Sequence, residues 1–136
     1  MSYDISLTDP VNGDVLTIDE PHYMRGGTYK LGGDTELTLN ITYNYADWYY
    51  RDDTFGTEKG IRALYGKTGL ESIPLLEKAI NALANLDEDL SEEEIEEYRR
   101  QGAGGYWTPT KKNAIKPLYQ LLAMAKMRPD GVWEGD

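Results

Sequence analysis

The chain has 136 residues, with 24 acids against 14 Lys and Arg, one histidine and no cysteine. That length suits one domain, able to bury about two thirds of its unfolded surface without a staple, and the missing cysteines exclude disulfides, thiolate catalysis and cysteine-ligated metal. No run reaches the ~20 apolar residues of a membrane span, and MSYDISLTDP lacks the basic and apolar regions of a signal peptide, so an intracellular protein with no membrane partner is expected.

In chain order, residues 3–8 alternate and predict a strand. Asp9, Pro10, Asn12 and Gly13 supply turn chemistry, and residues 15–19 complete a predicted hairpin. Residues 21–34 read as a loop, or as a short strand at 28–31 bracketed by Gly26-Gly27 and Gly32-Gly33. Residues 36–45 alternate almost without fault: Leu37, Leu39, Ile41, Tyr43 and Tyr45 on one face, Glu36, Thr38, Asn40, Thr42 and Asn44 on the other. This predicts an antiparallel strand with one wet face. The pattern then turns helical. Residues 58–65 predict a short helix stopped by Gly66. Residues 72–86 predict a long one with Ser72 as cap and Pro74 in the first turn. Ser91 and Glu94 form a capping box that opens a helix over 92–101, broken by Gly102, Gly104 and Gly105. A last helix reaches Met127 from Lys111 or Ala114, with Pro117 either close to its start or at a kink. The tail holds one large anchor, Trp133. Strands before helices predict an α+β fold, an N-terminal antiparallel sheet of three or four strands packed against three or four C-terminal helices. The organisation is a single domain: strand-rich 1–50, helical 58–128, tail 129–136.

Function is expected where arginine, glycine and aromatics concentrate. Asp19 and Glu20 lie just before His22, but a lone histidine gives neither a triad nor metal-ligand spacing. A hydrogen-bonded loop histidine is the reading to set beside it, and neither metal nor cofactor is expected. In Arg25-Gly26-Gly27-Thr28-Tyr29, a guanidinium, freed backbone amides and a hydroxyl could cradle an anion; a tight turn with Arg25 paired to an acid is the competing reading. Trp48, Tyr49, Tyr50 and Arg51 follow the predicted strand, and Trp, Tyr and Arg are the residues enriched at binding hot spots. The candidate contact residues are therefore His22, Arg25, Gly26, Gly27, Thr28, Tyr29, Trp48, Tyr49, Tyr50 and Arg51, with no catalytic residue among them.

Charge is polarised. Residues 87–97 carry eight acids and no base, and residues 98–128 carry seven bases and no acid, so the chain outside 98–128 holds 24 acids against 7 bases. The acidic run reads as a solvated helix start that complements the dipole, or as a mimic of nucleic acid. The basic stretch, with GAGGYWTPTKKN, reads as a partner of that helix in cis, or as an anion-binding or base-stacking loop.

The segments YDISLTDP, HYMRGGTYKLGG, LNITYNY, GIRALYGKTGLESIP and MRPDGVWEGD, which together cover nearly the whole chain, resemble a family of small proteins of tailed phages and prophages. The resemblance implies a phage accessory protein in the cytoplasm of a bacterial host and lends no catalytic residues. The expected function is counter-defence by binding: inhibition of an immune effector such as a CRISPR nuclease complex, or capture of a small nucleotide signal. Alternatives are acidic nucleic-acid mimicry, a small enzyme acting on a phosphorylated nucleotide through His22, and a virion role. Direct nucleic-acid binding is not expected, and a homo-oligomer stays open.

Overall fold

The computed structural model describes residues 1–24, 26 and 31–136. Its central sheet has the order β4-β1-β5, all antiparallel, built from β1 (Ser2–Thr8), β4 (Thr38–Thr42) and β5 (Val132–Gly135). Tyr3, Ile5 and Leu7 alternate inward along β1, Leu39 and Ile41 along β4, and Trp133 completes the apolar face from β5. Onto that face pack α2 (Gly69–Ala84) and α4 (Lys111–Met127), which also pack on each other. Leu76, Ala79, Ile80 and Leu83 of α2 and Leu118, Leu121, Leu122 and Ala125 of α4 recur at the 3.6-residue spacing that lets one helical stripe face a sheet. The α+β architecture is the one the order of patterns predicts.

Several elements depart from expectation. The hairpin over 3–19 forms only its turn: the carboxylate of Asp9 accepts from the backbone of Val11 and Asn12, Gly13 takes φ 78°, and a single bridge joins Thr8 to Val15. The chain then leaves β1, and β2 (Thr17–His22) pairs with β3 (Asp34–Glu36) in a separate two-stranded sheet. Leu7, Leu16 and Leu37 stitch the two sheets through 2.9 Å backbone bonds. The strand over 36–45 is interrupted at Leu37 and stops at Thr42. Tyr43–Tyr45 coil into a 3-10 turn, where the Thr42 hydroxyl accepts from the Asn44 amide, and lead into α1 (Ala46–Tyr49). Tyr45 is still fully buried, so the apolar period was real while the backbone was not extended.

The helix over 58–65 is instead a 3-10 segment, Gly60–Leu64. In α2 the cap is Thr68, in a capping box with Glu71, rather than Ser72. Ser72 is buried one turn in, donating to the Gly69 carbonyl at 2.7 Å and accepting from the Trp133 indole at 2.8 Å; Pro74 accordingly lies beyond the first turn. α3 (Glu92–Arg100) has the expected Ser91–Glu94 box. α4 begins at Lys111 with Thr110 as cap and runs through Pro117. The tail is strand β5, anchored by Trp133. Among the described residues no helix is long and apolar enough to cross a membrane.

Candidate functional site

A concave surface lies along the outer face of the N-terminal half of α4. Because Ala114, Pro117, Leu118 and Leu121 turn inward, Lys112, Ile115, Lys116 and Tyr119 fall on the opposite face at three- and four-residue spacing. Met24, Ala84 and Asp89 complete a groove of about 780 Å³. Lys112, Lys116 and Tyr119 are exposed, Tyr119 to 55%, and Met24 and Ile115 half-buried. Lys111 is committed, its ammonium bonded to the Leu86 carbonyl and its amide to the Asp89 carboxylate. Lys112 and Lys116 form no ion pair among the described residues. The groove thus has an apolar floor and two unneutralised ammonium groups one helical turn apart.

None of the expected contact residues that the structure describes lines this groove. His22 is buried, its Nε2 2.6 Å from the Glu36 carbonyl, and its Nδ1 accepts from the Met24 amide at 3.2 Å. A tautomer with the proton on Nε2 satisfies both contacts, so both ring nitrogens are engaged by backbone groups. Arg25, Gly27, Thr28 and Tyr29 lie outside the described residues. Gly26 forms a parallel bridge with Asn40 at φ 57°, and a Cβ there would fall 1.6 Å from the Asn40 carbonyl oxygen. The close approach that its glycine permits is to the protein's own strand.

Of the second group, Tyr49 is wholly buried, its hydroxyl donating to the Ala114 carbonyl at 2.7 Å, and burial raises its pKa well above the ordinary phenol value. Trp48 is half-buried and donates to the Pro109 carbonyl at 2.9 Å. Tyr50, 40% exposed, accepts from the Arg62 guanidinium at 3.1 Å. Arg51 donates to Asp53 and Glu88, both at 3.0 Å. Trp48 and Arg51 border a smaller cleft of about 210 Å³ with Asp47, Glu88, Leu90 and Tyr98. Residues 88–90 border both hollows, giving Asp89 to the groove and Glu88 and Leu90 to the cleft.

Two arrangements went unread in the sequence. Arg62 reaches over the rings of Tyr3 and Tyr43, 4.9 and 5.7 Å from their centroids, and also donates to the Asp136 carbonyl at 2.9 Å. It ties the 3-10 segment to the sheet rather than opening a site. The pairing of Lys112, Lys116 and Tyr119 was visible in principle: once the inner stripe of α4 is assigned, an aromatic remains on its polar face with two lysines a turn behind it.

The acidic and basic runs pair only in part. Arg99 and Arg100 bond Glu96 and Glu97 within α3 at 2.8 Å, whereas the lysines of the groove stay free of α3. The loop before α4 is tied down: Asn113 donates to the carbonyls of Gly105 and Thr108, and Tyr45 and Asn44 bond the carbonyls of Tyr106 and Trp107. No family model, curated protein or solved structure matches this chain.

Proposed function

We propose that this protein acts by binding, as a phage accessory protein that inhibits a bacterial defence system, and that the α4 groove is its contact surface. The observation that carries the reading is the groove itself: an apolar floor flanked by two lysines without counter-ions, on a molecule of net charge −10. Small-molecule and anchor pockets have this make-up, mostly apolar with a few convergent polar groups. Placement of His22 also favours binding over turnover, since the chain's one imidazole is spent on two backbone groups. The phage context comes from the sequence resemblance alone.

The test is phage plating on a defence-bearing host that expresses this protein. The double variant Lys112→Glu/Lys116→Glu, with helix content and melting temperature checked, is expected to abolish protection. Full protection by a folded double variant would remove the groove from the mechanism.

A second reading has its own observation. α3 buries no residue, and Glu92, Glu93, Glu96 and Glu97 are exposed, so its acidic surface is open to a basic partner, as nucleic-acid mimicry requires. Neutralising those four glutamates to Gln separates the readings: protection is lost in that variant under mimicry and kept under groove binding.

A further inference from the structure

We infer that the α4 groove takes a phosphorylated nucleotide, with phosphate at Lys112 and Lys116 and the base on the floor made by Met24, Ile115 and Tyr119; this rests on the binding reading above.

Volume comes first. At about 780 Å³ the groove lies within the ~300–1,000 Å³ range of small-ligand sites, room for a nucleotide but little for a protein domain. Chemistry follows from spacing. Lys112 and Lys116 lie one turn apart, so their ammonium groups can converge on one polyphosphate. Tyr119 lies a further turn along the same face and is exposed to 55%, and its hydroxyl makes no hydrogen bond among the described residues. A planar base can stack on such a ring, and the thioether of Met24 and the side chain of Ile115 offer flat apolar contact beside it. Gln120, half-buried at the groove edge, supplies a donor and an acceptor for a base edge.

Among the described residues Asp89 is the one carboxylate on the lining, and it accepts from the Lys111 amide at 3.0 Å. The surrounding charge decides the size of the anion. Outside residues 98–128 the chain holds 24 acids against 7 bases, so an extended polyanion would run from the lysines into repulsion. A compact anion touches the groove alone. Long-range repulsion is screened over about 8 Å at physiological salt, and contacts at the lysines act inside that distance.

Isothermal titration calorimetry on the full chain tests this with the four ribonucleoside triphosphates, the matching nucleosides, inorganic tripolyphosphate and a 20-residue oligothymidylate. At least one triphosphate is expected to bind, its nucleoside and tripolyphosphate each more than ~10-fold more weakly, because each lacks half of the contacts. Lys112→Ala and Lys116→Ala should each weaken the triphosphate roughly 10-fold. Tyr119→Ala should weaken it ~5–100-fold through lost stacking, while Tyr119→Phe retains affinity. No triphosphate binding at millimolar concentration overturns the inference. So does equal binding of nucleoside or of tripolyphosphate, or tighter binding of the oligonucleotide. Plating with Lys112→Glu/Lys116→Glu distinguishes the two levels: protection lost in that variant without nucleotide binding leaves the groove functional and the ligand class wrong, and protection retained removes both.

Discussion

At the scale of single residues, the glycine and the histidine that draw the eye in the sequence both serve the fold. Gly26 is needed because its backbone crosses Asn40 at φ 57°, with no space for a Cβ. Gly26→Ala combines that clash with an unfavourable left-handed conformation, and we expect a loss of at least ~1–3 kcal/mol, read as a lower urea midpoint. His22→Ala would strip partners from the Glu36 carbonyl and the Met24 amide. Leaving the Met24 amide unsatisfied costs about 1–3 kcal/mol, and chemical denaturation should show it. The sequence identified these residues as special but could not say for what, since a glycine that admits a ligand and one that admits a neighbouring strand look the same in one dimension. The groove lysines had the opposite fate. Lys112 and Lys116 are ordinary in sequence, and only the inward turn of Leu118 and Leu121 makes them neighbours of Tyr119 and Met24.

At the scale of elements, legibility followed locality. α3 and the start of β1 were readable because a capping box and a period of two are complete within ten residues. β5 was not, because its partner, β1, lies at the other end of the chain and VWEG shows a single anchor. That anchor is bolted to α2 by the Ser72 hydroxyl. Ser72→Ala would orphan the buried indole N–H of Trp133, with an expected cost of about 1–3 kcal/mol. Trp133→Ala should cost ~3–5 kcal/mol by emptying the core beneath the sheet; thermal unfolding followed by circular dichroism measures both. The helix starts give a pH dependence. Backbone hydrogen bonds at Thr68 and Ser91 hold the Glu71 and Glu94 carboxyls below the usual glutamate range. Groups with lowered folded pKa stabilise fully above the unfolded value, about 4.3 for Glu, and lose that contribution as pH falls through the folded value. Glu71→Gln, which keeps an acceptor but not the charge, should flatten the acid limb of the melting-temperature profile below about pH 4.3.

At the scale of the whole molecule, α+β class was legible because binary patterns change once, from period two to period 3.6, near residue 50, and the sheet's closure by β5 leaves that class unchanged. Charge segregation was equally visible, but its meaning needed the fold: Arg99 and Arg100 neutralise their own helix, and the net excess of base on the α4 face is left to the lysines. An overall charge of −10 should keep the protein off duplex DNA, so a gel-shift at 50 mM salt is expected to show no retention, as repulsion outweighs a pair of lysine contacts. The strand order β4-β1-β5 also sets a timetable. β1 is the central strand, yet Leu7 waits for Trp133, 126 residues later in the chain. At ~5–20 residues per second one flank of the sheet stands open for roughly 6–25 s in every round of synthesis. During that interval the nascent chain is exposed to chaperones and to strand pairing with its neighbours on the same message, so the yield of folded protein depends on how quickly its final strand arrives.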